Sequence, residues 1–420
     1  MTITRRGFLQ TSCGIVAASA LLPKWAMAGN LGSAAAANDN ILVVVQLAGG
    51  NDGLNTVVPT ADARYAAARP RIALTASQTL NVDSRTGFHP NLTSLHQQLM
   101  SGHLAVVQNV GYPAPDLSHF RSTDIWESGV AERVETTGWL GRALDSLYAG
   151  DASAMHSIAL GYDLPSAFEG VAVATPVVAD PSVFDFQTDP YYSDDDPLQR
   201  RTIASLLAPL TTRRRAVSTT PFSLSADPQA AIARVGRNAL ADAAVIRSAA
   251  AGYQTTATYP DSDVGNGLKL VAAVIAANTG ARVFWVTQGG YDTHDSERGG
   301  HDALLLDLDR SLAAFTSDLQ AHGSYRRVAV MMWSEFGRRV EDNGSAGTDH
   351  GTAGPLFLLG ARVRGGLYGD PPNLGDLDDD GNLKYSVDFR RIYGSILADW
   401  IGADPRLVLQ GDYARFPLFA

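Results

Sequence analysis

The run Ile41 to Leu47, "ILVVVQL", constrains this chain more than any other stretch. A strand with one wet face alternates apolar and polar residues. An almost unbroken β-branched run predicts a strand covered on both faces, which is the habit of parallel sheets flanked by helices. It ends in "AGGNDGLN", where Gly49, Gly50 and Gly53 allow a tight turn around Asp52. The same alternation continues downstream. A short amphipathic helix over Asn91 to Gly102 leads into a strand at Leu104 to Val110, and Ser118 to Ser128 reads as helical with Ser118 near its start. Helical periodicity returns over 228–251 and 264–278. Then come a strand at Ala281 to Gln288, a long helix at Gly300 to His322, strands at Arg326 to Trp333 and Leu356 to Leu359, and a final helix at Asp388 to Ile401. Strands alternating with helices predict an α/β fold with a largely parallel central sheet and helices on both faces.

The first 28 residues read as a targeting segment. "TRRGFLQ" carries Arg5 and Arg6 ahead of Phe8 and Leu9, an apolar run from Cys13 to Leu22 follows, and Ala26-Met27-Ala28 forms an A-x-A cleavage site. This predicts export by the twin-arginine translocase to the periplasm or beyond. The apolar run is shorter than the roughly 20 residues that span a bilayer, so no stable membrane span is expected. Residues 29–420 are then one α/β domain with a surface insertion at about 178–228, where "YYSDDDP", "TTRRR" and several prolines interrupt the pattern. Cleavage removes Arg5, Arg6 and Lys24 and no acid, taking the charge from −10 to −13. It also removes Cys13, the only cysteine, and with it any disulfide, thiolate ligand or cysteine nucleophile. So acidic a chain, whose one short arginine run lies in that insertion, argues against a nucleic-acid partner.

In parallel α/β sheets, ligands bind beyond the carboxyl ends of the strands. Polar groups gather there: Asp52 after the first strand, Asp292-Thr293-His294 after "ARVFWVTQGG", Glu335 after "RRVAVMMW", Asp349-His350 in "GTDHG", and Ser118-His119 at a helix start. Each has an ordinary structural reading: Asp52 as a turn former, Asp292 as a cap, Ser118 as an N-cap. Taken together, Asp52, Asp292, His294, Asp349 and His350 are the ligand types that a divalent ion, zinc or manganese, accepts when thiolates are absent. They would suffice for one or two ions, and a pair about 4 Å apart can activate a nucleophile and hold a leaving oxygen. Ser118 starts a helix, whose free N–H groups and positive dipole end favour a bound oxyanion or phosphate. "DLDDDG" at Asp376 to Gly381 starts like a calcium loop, but its twelfth position is Val387, so it reads as a hairpin turn.

"QLAGGNDGLNTVVP", "SHFRSTDIWESG", "GGYDTH", "EFGRR" and "GTDHG", in that order behind a twin-arginine signal, resemble the domain of unknown function 1501 family over about residues 41–402. That family is grouped with the alkaline phosphatase and sulfatase superfamily, so the resemblance implies a three-layer α/β/α sandwich with a two-metal site. It implies Ser118 as nucleophile, Asp52 with Asp349 and His350 on one ion, and Asp292 with His294 on the other. The chain departs from that pattern in two ways. Only Thr293 separates Asp292 from His294, where the superfamily spaces these ligands by three residues, and no histidine follows His350. His119, His301, Glu335 or water would have to complete the second ion, with Arg121 as a further supporting group. A formylglycine is not expected either, since Arg121 lies three residues after Ser118 with no proline between them.

The expected function is an exported metal-dependent hydrolase of phosphate or sulfate esters, acting on a small molecule or a glycan or lipid head group. A non-catalytic binding or assembly protein on the same fold is the alternative. An exported redox enzyme has no cofactor motif to support it.

Overall fold

The computed structural model describes residues 38–151, 155–180, 196–206 and 228–420. The targeting segment lies outside the described residues. So does most of the 178–228 insertion, of which the helix Asp196–Leu206 is described.

Nine strands form the main sheet: β1 (Ile41–Leu47), β2 (Leu104–Gly111), β3 (Ser157–Leu160), β4 (Val177–Val178), β5 (Val283–Gln288), β6 (Val328–Trp333), β7 (Gly354–Leu359), β8 (Gly366–Tyr368) and β9 (Val387–Asp388). Their order is β8-β2-β7-β6-β1-β5-β3-β4, with β9 also paired to β2. β1 is central and parallel to both neighbours, Val43 standing opposite Phe284 on one side and Val330 on the other. β7 alone runs antiparallel, to both β6 and β2.

Alternate residues of β1 feed two cores, as a two-residue strand repeat requires. Val43, Val45 and Leu47 pack with Leu95 and Leu99 of α1 (Thr93–Met100), Leu268 and Val271 of α4 (Asp263–Ala276), and Leu305 and Phe315 of α5 (Glu297–Ala321). Leu42 and Val44 pack with Trp126 of α2 (His119–Ser128), Trp139 of α3 (Trp139–Tyr148), and Ile392 and Tyr393 of α6 (Phe389–Ser395). The result is the expected three-layer α/β/α sandwich. At about 25 cal/mol per Å² of apolar surface, two aromatic-rich cores of this kind hold the sheet rigid and leave its rims to carry function. Among the described residues no helix is long and apolar enough to cross a membrane.

Two features lie beyond the sequence expectations, and one was foreseen. Short strands over Val57–Val58, Leu80–Asn81 and Gly87–Phe88 make a separate small sheet. The final helix continues past Ser395 as a π-helix over Ile396–Ile401. The Asp376–Gly381 stretch is the expected turn, bridged from Leu377 to Leu383, with Asp378 accepting the N–H groups of Asp380 and Asn382.

Candidate metal centre

β1, β2, β5 and β6 all end at one rim. Because β7 runs the opposite way, the loop that precedes it, Gly347 to Gly351, reaches the same rim. Two glycines let this loop close on its neighbours. A Cβ on Gly347 would strike the backbone of His294, and one on Gly351 the backbone of Arg338. The opening residues of α2 and the turn after β5 complete the group. In that turn, buried Tyr291 hydrogen-bonds Gln288 and its N–H donates to Ala48, which seats Asp292 beside it.

Four side chains converge at this rim. His294 Nε2 and His350 Nε2 are 2.9 Å apart, and they lie 3.0 and 3.1 Å from Asp292 Oδ1. His119 Nε2 lies 3.5 Å from Asp292 Oδ2. The outer nitrogen of each ring faces an acceptor. His119 Nδ1 meets Glu335 Oε1 at 2.8 Å, His350 Nδ1 meets the Leu117 carbonyl at 2.8 Å, and His294 Nδ1 meets Asp349 Oδ1 at 3.3 Å. Carbonyls and carboxylates only accept, so each ring donates from Nδ1 and, when neutral, presents a lone pair at Nε2. Each of the three inner nitrogens therefore faces the Asp292 carboxylate, and those of His119 and His350 lie with it within 4.8 Å of one another.

The donor set fits a divalent ion. Two imidazole lone pairs 2.9 Å apart repel unless a cation or proton lies between them. Ligands at about 2.0–2.2 Å from one metal stand roughly 2.8–3.4 Å from each other, close to the separations here. His119 Nε2 is buried and has no hydrogen-bond partner, and unpaired buried polar atoms are rare enough to need a reason. The carboxylates behind the rings match the outer support usual for metal-binding histidines. His119, Asp292 and His350 alone satisfy the spacing of a three-ligand site.

Buried Arg338 joins the rim loops. It donates to the carbonyls of Gly49, Gly50, Tyr291 and Thr348, and at 2.8 Å to Asp292 Oδ1. Partial burial raises the Asp292 pKa, but the hydrogen bond from Arg338, with the neighbouring His350 ring and the Arg338 charge, brings it to about 2. Phe336 lies beneath His119 and His350, ring centroids 4.9 and 4.7 Å away.

The structure redistributes the sequence-predicted residues. Asp292 and His294 lie together, His350, expected on a separate ion with Asp52, lies beside them, and His119, expected only in support, faces Asp292 as well. Asp349 does not join His350. Asp349 turns to His294 Nδ1 and Asn343 instead. Glu335 braces His119 and accepts the Gly49 N–H.

Asp52 has no exposed surface. It accepts the Leu54 N–H and meets Arg69 Nη1 at 2.5 Å, a buried ion pair in place of a metal contact. His301 is buried against Asn51, where burial lowers its pKa to about 4. Arg121 holds the carbonyls of Ala131 and Arg133. Ser118 is exposed as the N-cap of α2, and its hydroxyl has no partner among the described residues. Arg338 and Phe336 were missed by sequence reasoning, although both lie within the quoted "EFGRR".

Beneath the centre, Asp52, Arg69 and Glu297 form a buried polar knot. Burial, then the charge of Asp52 and a hydrogen bond to it, raise the Glu297 pKa well above 4.5. Burial would raise Asp52 too, but Arg69 and the hydrogen bond with Glu297 bring it below 3.8. One carboxyl is thus protonated and the other charged. Thr348, one residue before Asp349, donates to Glu297 Oε2 at 2.5 Å and ties the knot to the loop above.

No curated protein matches this sequence. Among solved structures, the chain is similar to a protein in the alkaline phosphatase superfamily from Vibrio parahaemolyticus, at 9% identity and TM-score 0.39, covering 90% of this chain and 71% of that one. It is similar at 10% identity and TM-score 0.38 to a protein of glycosaminoglycan metabolism from Bacteroides thetaiotaomicron, covering 90% and 83%. A third likeness is to the C-terminal periplasmic domain of EcEptC from Escherichia coli in complex with Zn, at 12% identity and TM-score 0.35, covering 87% and 81%. Scores this low transfer neither a substrate nor the role of a residue. Residues 39–385 match the family described as protein of unknown function DUF1501, and the chain belongs to it.

Proposed function

We propose that this chain is an exported hydrolase of phosphate or sulfate esters that works with a single divalent ion. The observation that carries the reading is the convergence of the inner nitrogens of His119, His294 and His350 on Asp292, each ring fixed from behind. The bound ion, zinc or manganese, would supply Lewis-acid polarisation of an ester oxygen. The residues do the rest. Asp292 carries the charge that balances the ion, and Arg338 holds Asp292 and three rim loops in place. Ser118 sits one residue from a ligand, and its hydroxyl makes no bond among the described residues, which leaves it available as a nucleophile. The first N–H groups of α2 have no partner within the helix and face the same rim, where they suit an ester oxyanion. The side chains of Asp292 and His294 are 48% and 43% exposed, so a substrate can reach them.

The partner in export is the twin-arginine translocase, and the destination is the periplasm or the exterior. Asp52 neutralised by Arg69 favours one ion over two. A non-catalytic role is the second reading. It is favoured by one observation: no base lies within hydrogen-bond reach of the Ser118 hydroxyl among the described residues, so the ion could simply clamp three loops for a binding partner. Hydrolysis of a panel of phosphate and sulfate esters, by the wild type and by Ser118→Ala at equal metal content, separates the two. Loss of turnover in the variant supports the hydrolase, and absence of turnover in both supports the binding protein.

A further inference from the structure

The rim opposite the metal centre, where β1, β3, β5 and β6 begin, holds a cavity of about 260 Å³. Its polar wall includes Tyr148, His156, Thr279, Arg282 and Arg327, and its apolar wall comes from Ile41 and the end of α4. The Arg282 guanidinium is fixed on two sides, Nε donating to the Asn40 carbonyl at 2.9 Å and Nη1 to the Tyr148 hydroxyl at 2.6 Å. Its remaining nitrogen, Nη2, is buried without a partner. Tyr148 stacks on His156 with centroids 3.8 Å apart and planes 9° from parallel, so the donor that orients Arg282 is itself held still. Arg327, half-buried, gives one N–H to the Ile275 carbonyl at 3.3 Å, and its other donors make no bond among the described residues.

A guanidinium stays protonated in a protein and carries five donors. Two of them line one cavity, and neither forms an ion pair with a described carboxylate. The only acid in the wall, Asp39, is exposed and bonds to neither. A buried N–H left unpaired carries the desolvation penalty of its donor, which an oxyanion in the cavity removes. Phosphate and sulfate groups match the forked geometry of arginine. The volume approaches the 300 Å³ or so at which small-molecule sites begin, and part of the wall is apolar, so the space suits an organic group as well as its anionic end.

We propose that this cavity is a second ligand site, separate from the metal centre, that takes a small organic phosphate or sulfate with its anionic group on Arg282 and Arg327. The inference does not rest on the hydrolase reading. The test is calorimetric titration of the full chain with phenylphosphonate, which carries the ring and the oxyanion but no hydrolysable ester, with benzyl alcohol as the uncharged control. Expected are saturable phenylphosphonate binding, at least tenfold weakening in Arg327→Gln, and no weakening in His350→Ala, which removes a metal-centre residue. Arg327 makes only one weak bond, so its variant folds even if Arg282→Gln does not. Absence of saturable binding, equal affinity in Arg327→Gln, or loss in His350→Ala alone would overturn the proposal.

Discussion

Replacing Arg69 by leucine probes the assignment of Asp52 most sharply. The guanidinium is fully buried and makes three contacts: Asp52 Oδ2 at 2.5 Å, the Val340 carbonyl at 2.8 Å and the Arg339 carbonyl at 2.7 Å. Arg69→Leu keeps most of the volume and strands the Asp52 carboxylate with no accessible surface. Removing one partner of a buried pair costs about 3–5 kcal/mol. With an unfolding entropy of about 2.1 cal/mol/K per residue, a domain of this length loses roughly 1.2 °C of midpoint per kcal/mol, so the expected drop is about 4–6 °C.

The pH dependence gives a second handle. In the wild type the Asp52 pKa is lowered, so its contribution is present above the unfolded value of 3.8 and fades as pH falls through the folded value. Without Arg69, burial pushes Asp52 the other way, so the gap between variant and wild type should be widest at neutral pH and narrow in acid. The double variant with Asp52→Asn should lose less than the sum of the single variants. Thermal unfolding with metal analysis of each sample reads all of this. A midpoint within 1 °C of wild type, or an Arg69→Leu protein that keeps its stability and binds an additional ion, would refute the ion-pair account.

Other expectations concern the groups around the centre. Glu297 has a raised pKa, so its contribution to stability is present below 4.5 and is lost as pH rises toward the folded value. Glu297→Gln cannot ionise, and its thermal midpoint should fall less than that of the wild type on going alkaline; a parallel decline would remove the protonated carboxyl. Glu335→Gln and Asp349→Asn, which weaken the acceptors behind His119 and His294, should lower metal affinity about 10–100-fold without unfolding the chain. Titration against a competing chelator measures this, and unchanged affinity would make both carboxylates bystanders. Ser118→Ala should keep its metal and midpoint while losing ester hydrolysis at least a hundredfold, as read by turnover on the ester that the wild type cleaves best.

The layers of the fold were legible because β1, β5 and β6 are almost wholly buried on both faces and so are apolar but for Gln46, Thr287 and Gln288 near the strand ends. The direction of β7 was not, since "PLFLL" reads the same either way along a sheet; yet that direction brings His350 to the rim. Within the centre, residue types were easier to read than their partners. Asp52 resembled a ligand because nothing in "ARYAAARPR" says that Arg69 folds back onto it. Ser118 and His119 are neighbours at a helix start, and only the docking of α2 shows that His119 meets Asp292 and Glu335. Asp349 and His350 looked like a joint pair of ligands, whereas Asp349 turns to His294 Nδ1 and Asn343.

Metal analysis of the full chain, purified without chelator, tests the central claim most directly. The account predicts one divalent ion per chain in the wild type and in Arg69→Leu, falling below about a tenth of an ion in His350→Ala and Asp292→Asn proteins that still unfold cooperatively. Two ions per chain, or one ion retained after His350 and Asp292 are both replaced, would contradict it.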